Sequence, residues 1–198
     1  MKSIDAKVAN QIRNVKAGTI LFIEDFLALG SKGAVHTALY RLVKAKKIHR
    51  LARGIYAKPS FNKLLNQDVL PSAEEVAIAI AKRDRARILP TGAYAQNALG
   101  LSTQVPLRIV YLTDGSPRTI KIGKRTIQFK KTTPKNLALK GKISKLVVQA
   151  LKEIGKGKAT PQELEKIQNL LLKENNHDLK HDIALAPQWI AEIMAKAL

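Results

Sequence analysis

Between residues 3 and 16 the apolar side chains Ile4, Val8, Ile12 and Val15 recur three to four positions apart, which predicts a helix with one buried stripe, stopped by Gly18. TILFI reads as a short apolar strand, and EDFLALGS as a short helix ended by Gly30. Ser31 is placed to cap a third helix, because its hydroxyl can accept from first-turn amides. In that helix Val35, Ala38, Leu39, Leu42 and Val43 form the inward stripe, leaving Lys32, Gly33, His36, Thr37, Tyr40, Arg41 and Lys44 outward. Ile48, Leu51, Ile55 and Tyr56 around Arg53-Gly54 then predict a two-stranded ribbon turning at the glycine. Helix, strand, helix, basic helix, ribbon is the order of a winged helix-turn-helix.

Further on, KPSFNKLLNQDVLP reads as a connector. Ser72 with Glu75 is a capping box opening a helix that carries Val76, Ile78, Ile80 and Ala81. RILPTGAYAQNALGLSTQVP reads as a turn, a short Ala-rich helix and a second turn. RIVYLTDGSPRTIKIGKRTIQFKKTT gives three strands separated by DG and GK turns. KNLALKGKISKLVVQALKEIG returns to helix, Thr160-Pro161 with Glu163 opens another, and a last one follows Pro187. The expected fold class is α+β. A winged helix-turn-helix over residues 1–58 precedes a mixed α/β domain over 59–198, with a small antiparallel sheet and terminal helices.

Charge sharpens this outline. Of the 198 residues, 35 are Lys or Arg and 15 Asp or Glu, a net charge of +20. Such an excess calls for a polyanionic partner, nucleic acid ahead of an anionic membrane or an acidic protein. The 29 residues from Ser31 to Pro59 hold eight Lys or Arg and no acid, although they are patterned to fold. A helix with only neutral or basic groups outward can enter a major groove, where carboxylates would be repelled by phosphates. Lys32, His36, Thr37 and Arg41 are the candidate groove contacts, with the Arg fork suited to guanine. Ser31, Lys44, Arg50 and Arg53 are the candidate phosphate contacts. The competing readings are a solvated lysine-rich face and a protein-docking winged helix. Tyr40 and Tyr56 are expected to pack, and His36 and His49 fit plain polar surface as well as they fit contacts. The later stretch with Arg108, Arg118, Lys121, Lys124, Arg125, Lys130 and Lys131 against Asp114 reads as a continued DNA footprint, an RNA face, an acidic-protein contact or a solvated strand face.

The chain has no cysteine, which excludes disulfides, thiolate metal sites and cysteine nucleophiles. No run of apolar residues is long enough to span a bilayer, and the N-terminal MKSIDAKVANQ lacks the apolar core of a signal peptide, so a cytoplasmic protein is expected. His177 and His181 are four apart, yet HDLKHD lacks the glutamate of the zinc-protease motif and follows an expected loop. Neither GKGKAT nor PTGAY has P-loop spacing, and no Ser sits in a nucleophile elbow. No enzyme, cofactor or metal is expected.

ILPTGAYAQNALGLSTQVP with YLTDGSPRTIKIGKRTIQFK resembles the C-terminal region of the AbiEi-type antitoxins and their uncharacterised bacterial relatives. S-x-x-A-V-x-x-A-L-x-R-L-x-K followed by I-x-R-L-A-R-G-I-Y is similar to their winged-helix half. The resemblance covers most of residues 1–135, and its more specific part is PTGAYAQNALGLSTQ. It implies an antitoxin of a two-gene bacterial system, associated with phage defence by abortive infection. Such a protein represses its own promoter through the N-terminal domain and opposes a nucleotidyltransferase-like toxin through the C-terminal one, without a stable toxin complex being implied. By the same resemblance Lys32, Thr37, Arg41, Arg50 and Arg53 contact double-stranded DNA. Pro90, Thr91, Gly92 and Tyr94, with Arg118, Lys121, Lys124 and Arg125, are the candidate antitoxin surface. The alternatives are a stand-alone winged-helix regulator whose second domain senses a ligand or partner, and an RNA-binding protein using the basic hairpin.

Overall fold

A computed structural model describes residues 3–64 and 66–198. Met1, Lys2 and Leu65, which belong to the N-terminal and connector stretches, lie outside the described residues. The architecture is α+β. The chain divides into two compact units, Met1–Ile80 with Lys121–Gly123, and Ala81–Ile120 with Lys124–Leu198. Among the described residues no helix is long and apolar enough to cross a membrane.

In the first unit α1 (Ile4–Asn14) starts at Ser3, whose Oγ accepts from the Ala6 amide at 3.2 Å. Strand β1 (Ile20–Phe22) leads into a 3-10 segment, Ile23–Leu29, and then α2 (Lys32–Lys44). Strands β2 (His49–Ala52) and β3 (Ile55–Ala57) turn at Gly54, whose φ of 73° suits glycine. The antiparallel sheet has the order β1-β3-β2, with Leu21 opposite Tyr56. Both helical stripes meet it: Val8, Ile12, Phe26, Val35, Leu39 and Tyr56 form one core. Lys58 spends all three ammonium protons on the carbonyls of Ile12, Arg13 and Val15, at 3.1, 2.9 and 2.8 Å. A cation there complements the negative end of α1 and ties it to the strand leaving the sheet.

The expected connector instead forms β4 (Ser60–Asn62) paired with β5 (Gln67–Val69), a ribbon too short to carry a strand pattern. Helix α3 (Ala73–Arg83) opens on the expected box, Ser72 N to Glu75 Oε2 at 2.7 Å and Glu75 N to Ser72 Oγ at 3.2 Å. Its stripe is Val76, Ala77, Ile80 and Ala81, while Ile78 faces outward.

The second unit holds β6 (Ile88–Pro90), α4 (Gly92–Ala98), β7 (Arg108–Thr113), β9 (Arg125–Lys131) and the first three residues of β8 (Arg118–Ile122), in the sheet order β6-β7-β9-β8. Only the GK turn makes a hairpin, β8 with β9. At the DG position the chain leaves the sheet and returns, so β7 and β9 run parallel, with Ile109 opposite Ile127. There the Asp114 carboxylate accepts from the Arg87 amide and guanidinium, both at 2.8 Å, extending the β6–β7 pairing. After a 3-10 segment, Pro134–Leu137, come α5 (Ser144–Ile154), α6 (Pro161–Leu171), α7 (Asn176–Leu185) and α8 (Gln188–Ala195). Val147, Leu151, Ile167, Leu171, Leu179, Ile190 and Met194 make their common core.

Helix α5 begins later than its sequence pattern suggests because two carboxylates, the buried Asp182 and the half-buried Glu174, claim the preceding loop. Asp182 accepts from the amides of Lys140 (2.8 Å) and Gly141 (2.9 Å) and from Ser144 Oγ (2.5 Å). Glu174 Oε2 accepts from the amides of Ile143 and Ser144 at 2.5 and 3.0 Å. A side chain at Gly141 would collide with Ser144 Oγ and Glu174, so only glycine fits. Helix α7, capped by Asn175 after the expected loop, supplies Asp182, and it holds both His177 and His181. His181 Nδ1 lies 2.9 Å from Asp182 Oδ1, and an ionised carboxylate only accepts, so this nitrogen carries the proton. Burial works to raise the Asp182 pKa, but the hydrogen bonds from Ser144, His181, Lys140 and Gly141 together hold it below the usual carboxylate value.

Candidate nucleic-acid interface

Helix α2 presents its outward residues as the stripe dictates: Lys32, Gly33, His36, Thr37, Tyr40, Arg41 and Lys44 are exposed, and Val35, Ala38 and Leu39 are buried. Ser31 caps the helix, its Oγ accepting from the Ala34 amide at 3.4 Å. The first turn holds no acid, so no carboxylate competes with an anion for the positive end of the helix. The Thr37 hydroxyl donates to the Gly33 carbonyl at 3.0 Å, so Thr37 offers a partner its methyl group and oxygen lone pairs. Tyr40 does not pack as expected. It is 53% exposed, because it falls opposite the stripe, and the Lys44 ammonium sits 5.4 Å from its ring centre. Tyr56 does pack, at 2% exposure, and burial raises its phenol pKa while the charge of Arg50 opposes the rise.

The ribbon turn brings its arginines to the start of α2. Lys32, His36, Arg50 and Arg53, with Ile23, Glu24 and Gly54, line one depression of about 280 Å3. Glu24 is the one carboxylate among these lining residues. Arg50 and Arg53 are exposed, and Arg50 Nε donates only a long 3.4 Å bond to the Ala52 carbonyl. Arg41 stands apart from this group. Its guanidinium pairs with Asp5 of α1, both side chains being open to water at 65% and 44%. Ser3, Ile4, Asp5, Ala34, Thr37 and Arg41 line a second, shallower depression of about 250 Å3. An exposed pair of this kind is worth about 0–1 kcal/mol and exchanges readily for another anion.

The second unit uses its cations differently. Arg118 donates to Asp84, lies 5.5 Å from the Phe129 ring centre and is about two-thirds buried, which lowers its pKa, with Arg83 adding to the effect. Arg87 holds Asp114, whose pKa is lowered by that contact, and Lys131 donates to the Asp114 carbonyl at 2.6 Å. Arg125 is half-buried, whereas Lys121 and Lys124 are exposed around the GK turn.

The PTGAY stretch shapes a join. Pro90 pairs with Tyr111 in the sheet, and the Thr91 amide and hydroxyl donate to the Val110 carbonyl at 3.0 and 3.3 Å. Gly92 starts α4 at φ 59°, and Tyr94 stands 6.1 Å from Tyr111, itself stacked on Phe129 at 5.9 Å. All four residues, Pro90, Thr91, Gly92 and Tyr94, are half-buried, so as an interaction surface they present edges rather than whole side chains. Sequence reading passed over Lys58, Asp5, Asp182 and Glu174; none has a local motif, since each acts on a segment distant in the chain.

Among the described residues no group of three or more His, Cys, Asp or Glu is placed to hold a metal ion. No curated protein matches the chain. Over residues 7–179 it matches a family described as Family of unknown function (DUF6088), and it belongs to that family.

Proposed function

We propose that this member of the DUF6088 family binds double-stranded DNA through a winged helix-turn-helix formed by its first unit, and represses its own promoter. The observation that carries the reading is the depression shared by Lys32 and His36 of α2 and Arg50 and Arg53 of the ribbon, within 29 residues free of acid. In this proposal α2 enters the major groove with Lys32, His36 and Thr37 near base edges. Arg41 leaves Asp5 to read a guanine, and Ser31, Lys44, Arg50 and Arg53 hold phosphates. Neutralising roughly six phosphates would give log K a slope near −5 against log salt.

The antitoxin part of the proposal rests on the resemblance of the PTGAY and YLTDGSPRTIKIGKRTIQFK segments to AbiEi-type antitoxins. It gives the second unit the task of opposing a nucleotidyltransferase-like toxin in the cytoplasm, with no stable complex assumed. Fluorescence anisotropy against the DNA upstream of the gene, with scrambled duplex as control and two salt concentrations, tests the first part. A hundredfold preference that survives the higher salt is expected; equal binding that collapses with salt overturns sequence readout. Co-expression with a nucleotidyltransferase encoded beside the gene tests the second, with restored growth expected and continued arrest overturning it.

A further inference from the structure

The second unit contains a cavity that the DNA reading leaves unused. About 240 Å3 in volume, it is lined by Arg87, Ile88 and Leu89 at β6, by Asn136, Leu137 and Leu139, and by Lys145 of α5. At roughly 30 Å3 per water this is space for about eight waters, too little for a nucleic-acid strand or a helix and enough for a small molecule. Its walls have two chemistries. Four aliphatic side chains provide an apolar surface that water wets poorly, a guanidinium and an ammonium provide positive charge, and the neutral Asn136 carboxamide is engaged by Thr132 and Lys152.

The surroundings are more positive than the lining alone. Lys152 donates to Asn136 Oδ1 at 3.5 Å, and its ammonium is held below the usual lysine pKa by burial and then by the charge of Lys135. No carboxylate lines the cavity; the nearest one in the hydrogen-bond network, Asp114, is engaged by Arg87. One turn along α5 from Lys145, and so on the same face of the helix, Gln149 is 5% exposed and its Nε2 has no hydrogen-bond partner among the described residues. Arg87 gives its Nε to Asp114, which leaves its two terminal nitrogens, with the Lys145 ammonium, to meet an acceptor, and the orphaned Gln149 donor lies one turn along the same helix.

We infer that this cavity binds a small organic anion, a carboxylate or phosphate monoester with a short aliphatic body. The anionic head lies between Arg87 and Lys145, and the body lies on Ile88, Leu89, Leu137 and Leu139. Arg provides a fork that matches either oxyanion, and Lys a mobile point charge. Since every lining residue belongs to the second unit, the inference stands whether or not the first unit binds DNA.

Isothermal titration calorimetry of the full chain with pentanoate and with butyl phosphate tests it, butylamine and inorganic phosphate serving as controls. One saturable site is expected for at least one of the tailed anions, bound at least tenfold more tightly than inorganic phosphate, with no binding of butylamine. Lys145→Gln changes a partly exposed charge and should weaken that binding at least tenfold at unchanged melting temperature. Amide shifts in a nitrogen-15 correlation spectrum should concentrate at Ile88, Leu89, Leu137 and Leu139. Equal affinity for inorganic phosphate, no effect of Lys145→Gln, or shifts scattered over surface lysines would overturn the assignment. The relative affinity of the two tailed anions distinguishes a carboxylate ligand from a phosphate ester.

Discussion

Two basic regions of this protein, the α2 face with its ribbon and the β7–β9 sheet, look alike in composition and differ in what their cations do. On α2 and the ribbon the charges of Lys32, Arg50 and Arg53 collect beside His36 around one depression, whose one lining carboxylate, Glu24, lies outside the acid-free stretch. In the sheet, Arg118 is spent on Asp84 and the Phe129 ring, Lys131 on a carbonyl, and the Nε of Arg87 on Asp114. The first arrangement leaves charge for a partner, while the second uses it to join strands and loops. A count of Lys and Arg cannot separate the two; the positions of acids and carbonyls within reach can.

The strongest way to sharpen this contrast is to remove a charge that is wholly structural. Asp182→Ala orphans the buried Gly141 amide, the part-buried Lys140 amide and the Ser144 hydroxyl, and should cost about 3–5 kcal/mol in urea unfolding followed by Trp189 fluorescence. The pH dependence follows from the lowered pKa of Asp182. Its contribution is complete above the unfolded carboxyl value of about 3.9 and is lost as pH falls through the lower folded value. The stability difference between wild type and Asp182→Asn should therefore shrink from pH 5 towards pH 2.5. A difference constant across that range would mean the carboxylate is not held ionised by its donors.

Replacing both Arg50 and Arg53 by Ala should lower DNA affinity by about 2 kcal/mol, roughly thirtyfold, and flatten the salt slope by about two units, at unchanged stability. Arg118→Ala should do the reverse, losing about 1–2 kcal/mol of stability with DNA affinity unaltered. Loss of DNA binding in Arg118→Ala would break the comparison. The smallest expected effect belongs to Asp5→Asn, which frees Arg41. It should tighten DNA binding about two- to threefold and change stability by less than about 0.5 kcal/mol, read by anisotropy and thermal unfolding.

Several elements were legible because their causes are local. Ser3, Ser31, Ser72 and Thr160 cap helices within three residues of themselves, and the apolar spacing of α1 and α2 marks the faces they bury. Gly54 turns the ribbon for a reason confined to its own backbone. The outward residues of α2 follow from the same periodicity, so their exposure was readable before their surroundings were. Tyr40 shows the limit: the stripe placed it outside, and an aromatic preference for packing could not override that position.

Local pattern thus fixed the series of helices and strands up to Ala57, the inward faces of α1 and α2, and the freedom of Ser31–Pro59 from negative charge. The tertiary structure alone decided which cations stay available. It set Asp5 against Arg41, Asp84 against Arg118 and Asp182 under a loop about 40 residues away, and it ran β9 parallel to β7 with β8 on the outer edge. The physical reason is range. Capping and periodicity act over three or four residues, whereas an ion pair or a buried carboxylate depends on which distant segments the core brings within a few ångströms.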